Sequence, residues 1–336
     1  MRIPLQRAAE LGSRFQCARV AVVGDLVADV YVMGSPARLS REAPVLVIRY
    51  EGEDLIPGSA ANVVNNLHAL GARVIPAGII GKDREGDRLL ATFQECGVPT
   101  DHVLRDPKVG TITKTRVMAG DVNRQKQQIV RIDREPFEPF AEQTVSELQS
   151  SVEKVLTQVD GAILSDYGYA TISPGMIDRV RERGAGKILV ADSHERLPEF
   201  HGFTAITPNE GEAELAVGFP IRTAEDVDRA GQKLLRATEV SEVLLTRGNK
   251  GMSLFSGHKK PVHFPILGGR EIVDVSGAGD TVAAVYLLVR VAGGEPEEAA
   301  YLANAAASVV VMKSRAATLG VSELVAAVER DLNKKH

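Results

Sequence analysis

Asp274-Val-Ser-Gly277-Ala278-Gly279-Asp280-Thr281 is the stretch of this chain best suited to chemistry, and an apolar helix begins directly after it, around Val282. Two glycines let the backbone approach a ligand closely, and the first N–H groups of a helix point at the same place. Such a turn is an anion site, suited to the charge on a transferring phosphoryl group. An aspartate inside it, Asp280, could accept a proton from an attacking hydroxyl. Taken alone, the motif also reads as a tight turn with Asp280 as a helix cap. A dinucleotide fingerprint is a third reading, but it needs a βαβ unit and an acidic residue roughly 20 positions on. The residues after Asp280 read as helices with no further strand, and that reading fails. No G-x-x-x-x-G-K-[ST] occurs, so the phosphate cradle is not a P-loop.

The elements that must position this turn alternate. Arg19–Asp25 is a short β-branched run ending in Gly-Asp, as a strand buried on both faces reads, with ligand groups at its carboxyl end. Val30–Met33 and Val45–Tyr50 are β-rich pieces outside the main sheet, separated by SPARLSREAP. Helical spacing over Ser59–Leu70 stops at Gly71; Val74–Ile80 is a buried strand and Gly86–Gly97 a helix. Gly110–Asp133 alternates like a half-exposed hairpin or lid. A helix around Ala141–Val159, the strand GAILSD, and a helix with Ser173 as N-cap and Pro174 at N1 come next. KILVAD and TAITPN are strands, Ala224–Ala237 is a helix, VSEVLLT is a strand, and Arg247–Gly269 reads as hairpins. Gly277–Gly293, Glu295–Lys313 and Ser322–Leu332 are helices. Strands alternating with helices predict an α/β fold: a mainly parallel sheet with helices on both faces and a small β lid.

Composition narrows the function. Hydrophobic residues at 44% and charged residues at 25% are ordinary for a globular protein. A net charge of −4 gives no footprint for nucleic acid, and aromatics at 4% with no Trp leave few platforms for base stacking. No apolar run is long enough for a membrane span, and Met1–Ala21, an alternation of apolar and charged residues, has no signal-peptide core. A cytoplasmic protein is expected, with Cys17 and Cys96 as free thiols. The seven histidines show no metal-ligand spacing and read as structural or surface residues.

The D-V-S-G-A-G-D-T stretch resembles the signature of the ribokinase-like (PfkB) carbohydrate kinases, and other ordered stretches from Val20 to Val328 agree. The resemblance implies one ribokinase-like domain over 1–336, with lid insertions at about 30–56 and 108–133, ATP and Mg²⁺ as cofactors, and Asp280 as base on the Gly277-Ala278-Gly279 turn. It implies sugar contacts from Asp29, with Asp25 as a second candidate, in Gly24-Asp25-Leu-Val-Ala-Asp29, and from Gly58 and Asn62 in Pro57-Gly58-Ser-Ala-Ala-Asn62. Gly78-Ile-Ile-Gly81-Lys-Asp83-Arg-Glu-Gly86 is similar to the family's next glycine-rich stretch. Asn209-Glu-Gly-Glu212 resembles the N-x-x-E motif, which implies that Glu212 acts on Mg²⁺ through water and that Asn209 lies near the phosphates; both also read as a capping box. Thr246, Gly248 and Gly251 in Thr246-Arg-Gly248-Asn-Lys-Gly251, and Asn304, are implied on the nucleotide side. Relatives often use a monovalent cation such as K⁺ near Asp274.

Within the family, Ser35–Val45, Thr111–Arg116, Ile129–Asp133 and Leu164-Ser-Asp166-Tyr167 most resemble the kinases that phosphorylate C1 of D-glycero-D-manno-heptose 7-phosphate. Lys114, Arg116 and Arg131 would supply positive charge for a sugar phosphate, with Asp166 beside them. Two lysines of those kinases are missing: the chain has Tyr169 in Asp166-Tyr167-Gly-Tyr169-Ala170 and His194 in Asp192-Ser193-His194. Another sugar, or a non-catalytic sugar or nucleotide sensor, is the alternative. The lid's open β edges lead to an expected homodimer. In bifunctional relatives a nucleotidyltransferase domain comes after the kinase; the sequence ends at His336 and is expected to lack it.

Overall fold

The computed structural model describes residues 2–120, 126–257, 259–268 and 273–334. In chain order the elements are α1 (Leu5–Arg14), β1 (Arg19–Gly24), β2 (Leu26–Leu39), β3 (Leu46–Ser59), α2 (Ala60–Ala69), β4 (Arg73–Gly81), α3 (Arg84–Glu95), β5 (Val103–Asp106), β6 (Thr113–Ala119), β7 (Gln127–Arg134), α4 (Glu142–Leu156), β8 (Gly161–Asp166), α5 (Pro174–Arg183), β9 (Ile188–Ser193), β10 (Ala205–Ile206), α6 (Glu210–Val217), α7 (Ala224–Thr238), β11 (Glu242–Thr246), β12 (Met252–Ser256), β13 (Val262–Phe264), α8 (Ala278–Val291), α9 (Pro296–Val310) and α10 (Val321–Asn333).

The main sheet has the order β13-β12-β11-β10-β9-β8-β1-β4-β5. It is parallel except where β12 pairs antiparallel with β11 and β13. Alternation along β1 shows how both faces are covered. Val20 and Val22 join the core beneath α2, α8 and α9, while Ala21 and Val23 join the core beneath α4, α5 and α7. Helix α8 is apolar all round from Val282 to Val289 and buried throughout that run, so its N-terminus is anchored in the centre of the molecule.

A second sheet, β3-β2-β6-β7, shares no strand with the first. The sequence predicts only short pieces here, yet β2 and β3 are one long hairpin. Their outer halves carry Gly34, Arg38, Arg49 and Glu51 on a solvated face, so the apolar run breaks where the strand continues. Residues 121–125 of the second excursion, and Gly269 at the end of the predicted hairpins, lie outside the described residues. Helix α1 also goes unpredicted. Ala8 and Leu11, with Ile3 and Phe15 beside them, make a buried face within a stretch that reads as simple alternation, and it packs on α10. TAITPN shrinks to the two-residue β10. No helix among the described residues is long and apolar enough to cross a membrane.

Candidate active site

The carboxyl ends of β1, β8, β9 and β11 point toward one end of α8, the position where parallel sheets bind ligands. Gly277 is the N-cap of α8 with φ +74°. A side chain there would be strained, and its Cβ would stand 2.4 Å from Asn62 Nδ2. Upstream, Asp274 shapes the loop: Oδ1 accepts the Ser276 N–H at 2.9 Å and Oδ2 the Arg315 N–H at 2.9 Å. Asp274 thus ties this loop to Arg315. Among the described residues, the N–H groups of Gly277, Gly279 and Asp280 donate to no backbone carbonyl. Around Gly279 a Cβ would meet nothing within 4 Å. Open space in front of unpaired N–H groups is what a phosphate requires.

Asp280 lies at the inner edge of that space, 3% exposed. Asn62 Nδ2 donates to its Oδ2 at 2.6 Å and the Tyr167 hydroxyl to its Oδ1 at 2.8 Å. Asn62 is itself oriented by Asn66, whose Nδ2 donates to the Asn62 carbonyl at 2.9 Å and to Oδ1 at 3.3 Å; Asn66 Oδ1 accepts the Thr281 hydroxyl at 2.8 Å. Burial pushes the Asp280 carboxyl up to about 7, with Asp192 adding to the rise. A base poised there matches proton transfer near neutral pH.

On the side of β2 and β6, the charged residues are mostly paired with one another. Arg116 donates to Asp29 Oδ1 at 2.6 Å, and a Cβ on Gly58 would lie 2.7 Å from Asp29 Oδ2. Gly58 thus makes room for Asp29. The Arg116 and Arg315 guanidiniums lie over the Tyr31 ring at 5.3 and 4.9 Å. Lys114 Nζ sits 5.4 Å from the Tyr167 ring and 5.6 Å from the Tyr169 ring, and forms no ion pair among the described residues.

Three of the expected sugar contacts are engaged with protein groups in the structure. Asp25 is fully buried and accepts N–H bonds from Tyr167 at 2.8 Å, Tyr169 at 3.2 Å and Thr171 at 3.2 Å, so it ties down the loop after β8. Asp166, 1% exposed, accepts two bonds from Arg196 and one from the Ser193 hydroxyl. Buried carboxylates need such donors. Arg131 stands on the exposed strand β7 and pairs with Asp133 at 2.9 Å.

The opposite side is apolar. Thr246, Gly248, Gly251 and Asn304 line one cavity with Val275, Ala278 and Gly279. Gly251, at φ +91°, would place a Cβ 2.0 Å from the Phe264 carbonyl oxygen, so only glycine fits. Asn304 donates to the Pro265 carbonyl at 2.7 Å and pins the loop that closes this wall. Asn209 bridges to Thr246 and forms a capping box with Glu212, so the cap and a place beside the cavity coexist. Glu212 and Asp192 are each pushed up to about 7 by burial, Asp192 also by Glu212. His194 Nε2 is 3.7 Å from Glu212, but burial and Lys114 lower its pKa and keep it neutral. Among the described residues no cluster of three or more His, Cys, Asp or Glu could cage a metal. Glu212 keeps one carboxyl oxygen outside the capping box, which fits Mg²⁺ held through water and substrate phosphates.

Tyr167, Asn66, Thr281, Asp192 and Arg196 complete the site without being predicted as parts of it. Tyr167, Asn66, Thr281 and Arg196 act through partners far away in the chain; Tyr167, next to Asp166, Thr281, next to Asp280, and Asp192, next to Ser193-His194, had a local signal.

Parallel strand ends that face a buried carboxylate at a helix N-terminus make an arrangement suited to phosphoryl transfer to a hydroxyl. The profile of the pfkB family carbohydrate kinases matches residues 18–323, and the chain belongs to that family. It is 39% identical over 332 residues to the bifunctional protein HldE of Trichlorobacter lovleyi, covering 97% of this chain and 66% of that protein. HldE of Chromohalobacter salexigens is 40% identical over 315 residues, covering 94% of this chain and 64% of that protein. The chain therefore spans about two thirds of the length of these relatives. Among solved structures, Escherichia coli phosphofructokinase-2 in complex with substrates and products superposes with a TM-score of 0.75 at 14% identity, covering 94% of this chain and 100% of that one. Arabidopsis thaliana ribokinase complexed with ribose and ATP gives 0.69 at 23% identity, covering 95% and 99%. These similarities establish the ribokinase-like fold.

Proposed function

We propose that the chain transfers the γ-phosphoryl group of ATP to a hydroxyl of a phosphorylated sugar, with the C1 hydroxyl of heptose 7-phosphate as the first candidate. One observation carries the reading: the Asp280 carboxyl, pushed up to about 7 by burial, beside unpaired N–H groups at the start of α8. The sugar hydroxyl gives its proton to Asp280, its oxygen bonds to the γ-phosphorus, and ADP departs with the electrons of the broken P–O bond. The N–H groups of Gly277 and Gly279 take up the charge that develops on the phosphoryl oxygens. Mg²⁺, held near Glu212 through water, would neutralise phosphate charge.

Asp29 and Asn62 border the sugar side, and Lys114 offers a cation with no carboxylate partner among the described residues. That cation favours an anionic sugar, although Tyr169 and His194 stand where the heptose kinases carry lysines. The four-stranded sheet would close over the sugar and exclude water. We read 1–336 as one kinase domain with this sheet as its lid. Its outer residues Leu39, Leu46, Ile129, Val130 and Ile132 are exposed, and every residue of β7 is exposed, which supports a homodimer through the lid.

The test is ADP release with heptose 7-phosphate, fructose 6-phosphate, ribose and adenosine. Turnover highest with a phosphorylated sugar is the expected result. Preference for ribose or adenosine would overturn the substrate class, and no ADP above background with any sugar that binds would make the protein a sensor.

A further inference from the structure

We propose that Tyr167 is a positioning residue for phosphoryl transfer: its hydroxyl fixes the Asp280 carboxylate, and its ring links that base to Lys114 on the second sheet. The proposal rests on the reading of Asp280 as the base.

The geometry is direct. The Tyr167 hydroxyl donates to Asp280 Oδ1 at 2.8 Å while Asn62 donates to Oδ2 at 2.6 Å. With a donor on each oxygen the carboxylate cannot rotate, and the lone pairs left over keep one direction. Burial, with Asp280 beside it, holds the phenol well above its ordinary value, so Tyr167 remains a donor.

The loop that carries Tyr167 is built for a fixed position. Gly168 and Ala170 both have positive φ, +83° and +69°, and the second is not glycine. Strain of this kind persists where its surroundings over-determine it. Here Asp25 accepts the N–H groups of Tyr167, Tyr169 and Thr171, and Arg196 clamps Asp166 and the Ile172 carbonyl from the two ends of the loop. These buried groups hold the residue that holds the base. The ring leans on His194, centroids 4.1 Å apart at 52°, and Lys114 Nζ lies 5.4 Å away on β6. A shift of the second sheet would therefore reach Asp280 through Tyr167.

The charged groups facing Asp280 are Asp192 from β9 and Asp29 from β2; Lys114 and Glu212 face Tyr167. Both acids disfavour the charged base, and the two hydrogen bonds from Asn62 and Tyr167 oppose them. Removing the phenol hydroxyl removes one of those donors, so Asp280 holds its proton to higher pH.

Tyr167→Phe keeps the ring and deletes only this bond. Two measurements on the full chain test it. The first needs no substrate: the Asp280 carboxyl is titrated by ¹³C NMR, its signal assigned by its loss in Asp280→Asn. The expected result is a midpoint moved to higher pH in Tyr167→Phe, and an unmoved midpoint overturns the proposal. The second is ADP release with heptose 7-phosphate, fructose 6-phosphate, ribose and adenosine. A kcat roughly tenfold lower, an acid limb moved to higher pH and an unchanged KM for ATP are expected for the sugar turned over. Wild-type kcat and pH profile overturn the proposal. Asp280→Asn separates the two failures: if it still turns over, the base itself is misassigned, whereas an inert Asp280→Asn beside a wild-type-like Tyr167→Phe removes only the role of Tyr167.

Discussion

The two sides of the site are built from opposite materials. Toward β2 and β6 the walls are charged, and the charges are largely spent on one another: Asp29 on Arg116, Asp166 on Arg196, Asp25 on three backbone N–H groups. Toward β11 and α9 the wall is apolar and glycine-rich, with its few polar groups pinning loops, as Asn304 does on Pro265. Between the sides stand Gly277, Gly279 and Asp280, whose N–H groups donate to no backbone carbonyl among the described residues. The lesson is that unspent hydrogen-bonding capacity, more than the number of charges, marks where chemistry occurs. Asp25 and Asp166 each accept at least three bonds from protein donors, whereas Asp280 accepts two and stands beside backbone amides with open space before them.

Gly277→Ala should disturb this division most among the glycines. Its Cβ would stand 2.4 Å from Asn62 Nδ2 at a backbone φ of +74°, displacing Asn62 from Asp280. We expect kcat to fall about 100-fold, measured by ADP release, since a misplaced catalytic group costs this much. Gly279→Ala tests the opposite case two residues away. Nothing lies within 4 Å of the new Cβ, so the melting temperature should hold. The methyl group would intrude on the phosphate, and KM for ATP should rise by about tenfold. If both alanines behaved alike, the distinction between packed and vacant sides of this turn would be wrong.

The smallest expected effect concerns stability. Asp192 is pushed up to about 7 by burial and Glu212. In the unfolded chain an aspartate titrates near ~3.9. Its folded pKa is raised, so its contribution is most favourable below the unfolded value and is lost as pH rises toward about 7. Asp192→Asn should therefore raise the melting temperature at pH 8, by about 3 °C, and the difference should shrink as pH falls toward ~4. A difference that grew on acidification would contradict the sign.

How much of this the sequence disclosed depends on distance along the chain. Helices α2, α4, α7 and α9 and strands β1, β4, β8 and β9 each carry their periodicity or apolar run within a few residues, and they are legible. Helix α1 is not, because its face becomes apolar only against α10, more than three hundred residues on. The glycine turn before α8 is equally local, so Asp280 could be named from spacing. Asn62 reaches Asp280 across 218 residues and Tyr167 across 113; local motifs mark Asn62 and Tyr167 themselves, but not the bonds they make to Asp280. The partners of the charged residues are equally hidden in the sequence. Asp25 and Asp166 look available in sequence, and only folding supplies the N–H groups and Arg196 that consume them. Glu212 could be read as cap or as metal contact, and the structure shows the capping box with Asn209.

Turnover of Asp280→Asn, followed as ADP release at pH 8 with the sugar that the unaltered protein prefers, tests the central assignment most directly. With the fold retained, the account predicts a kcat at least about 1,000-fold lower and an affinity for ATP within a few-fold. A variant that kept turnover within about tenfold of the unaltered protein would show that another group takes the proton.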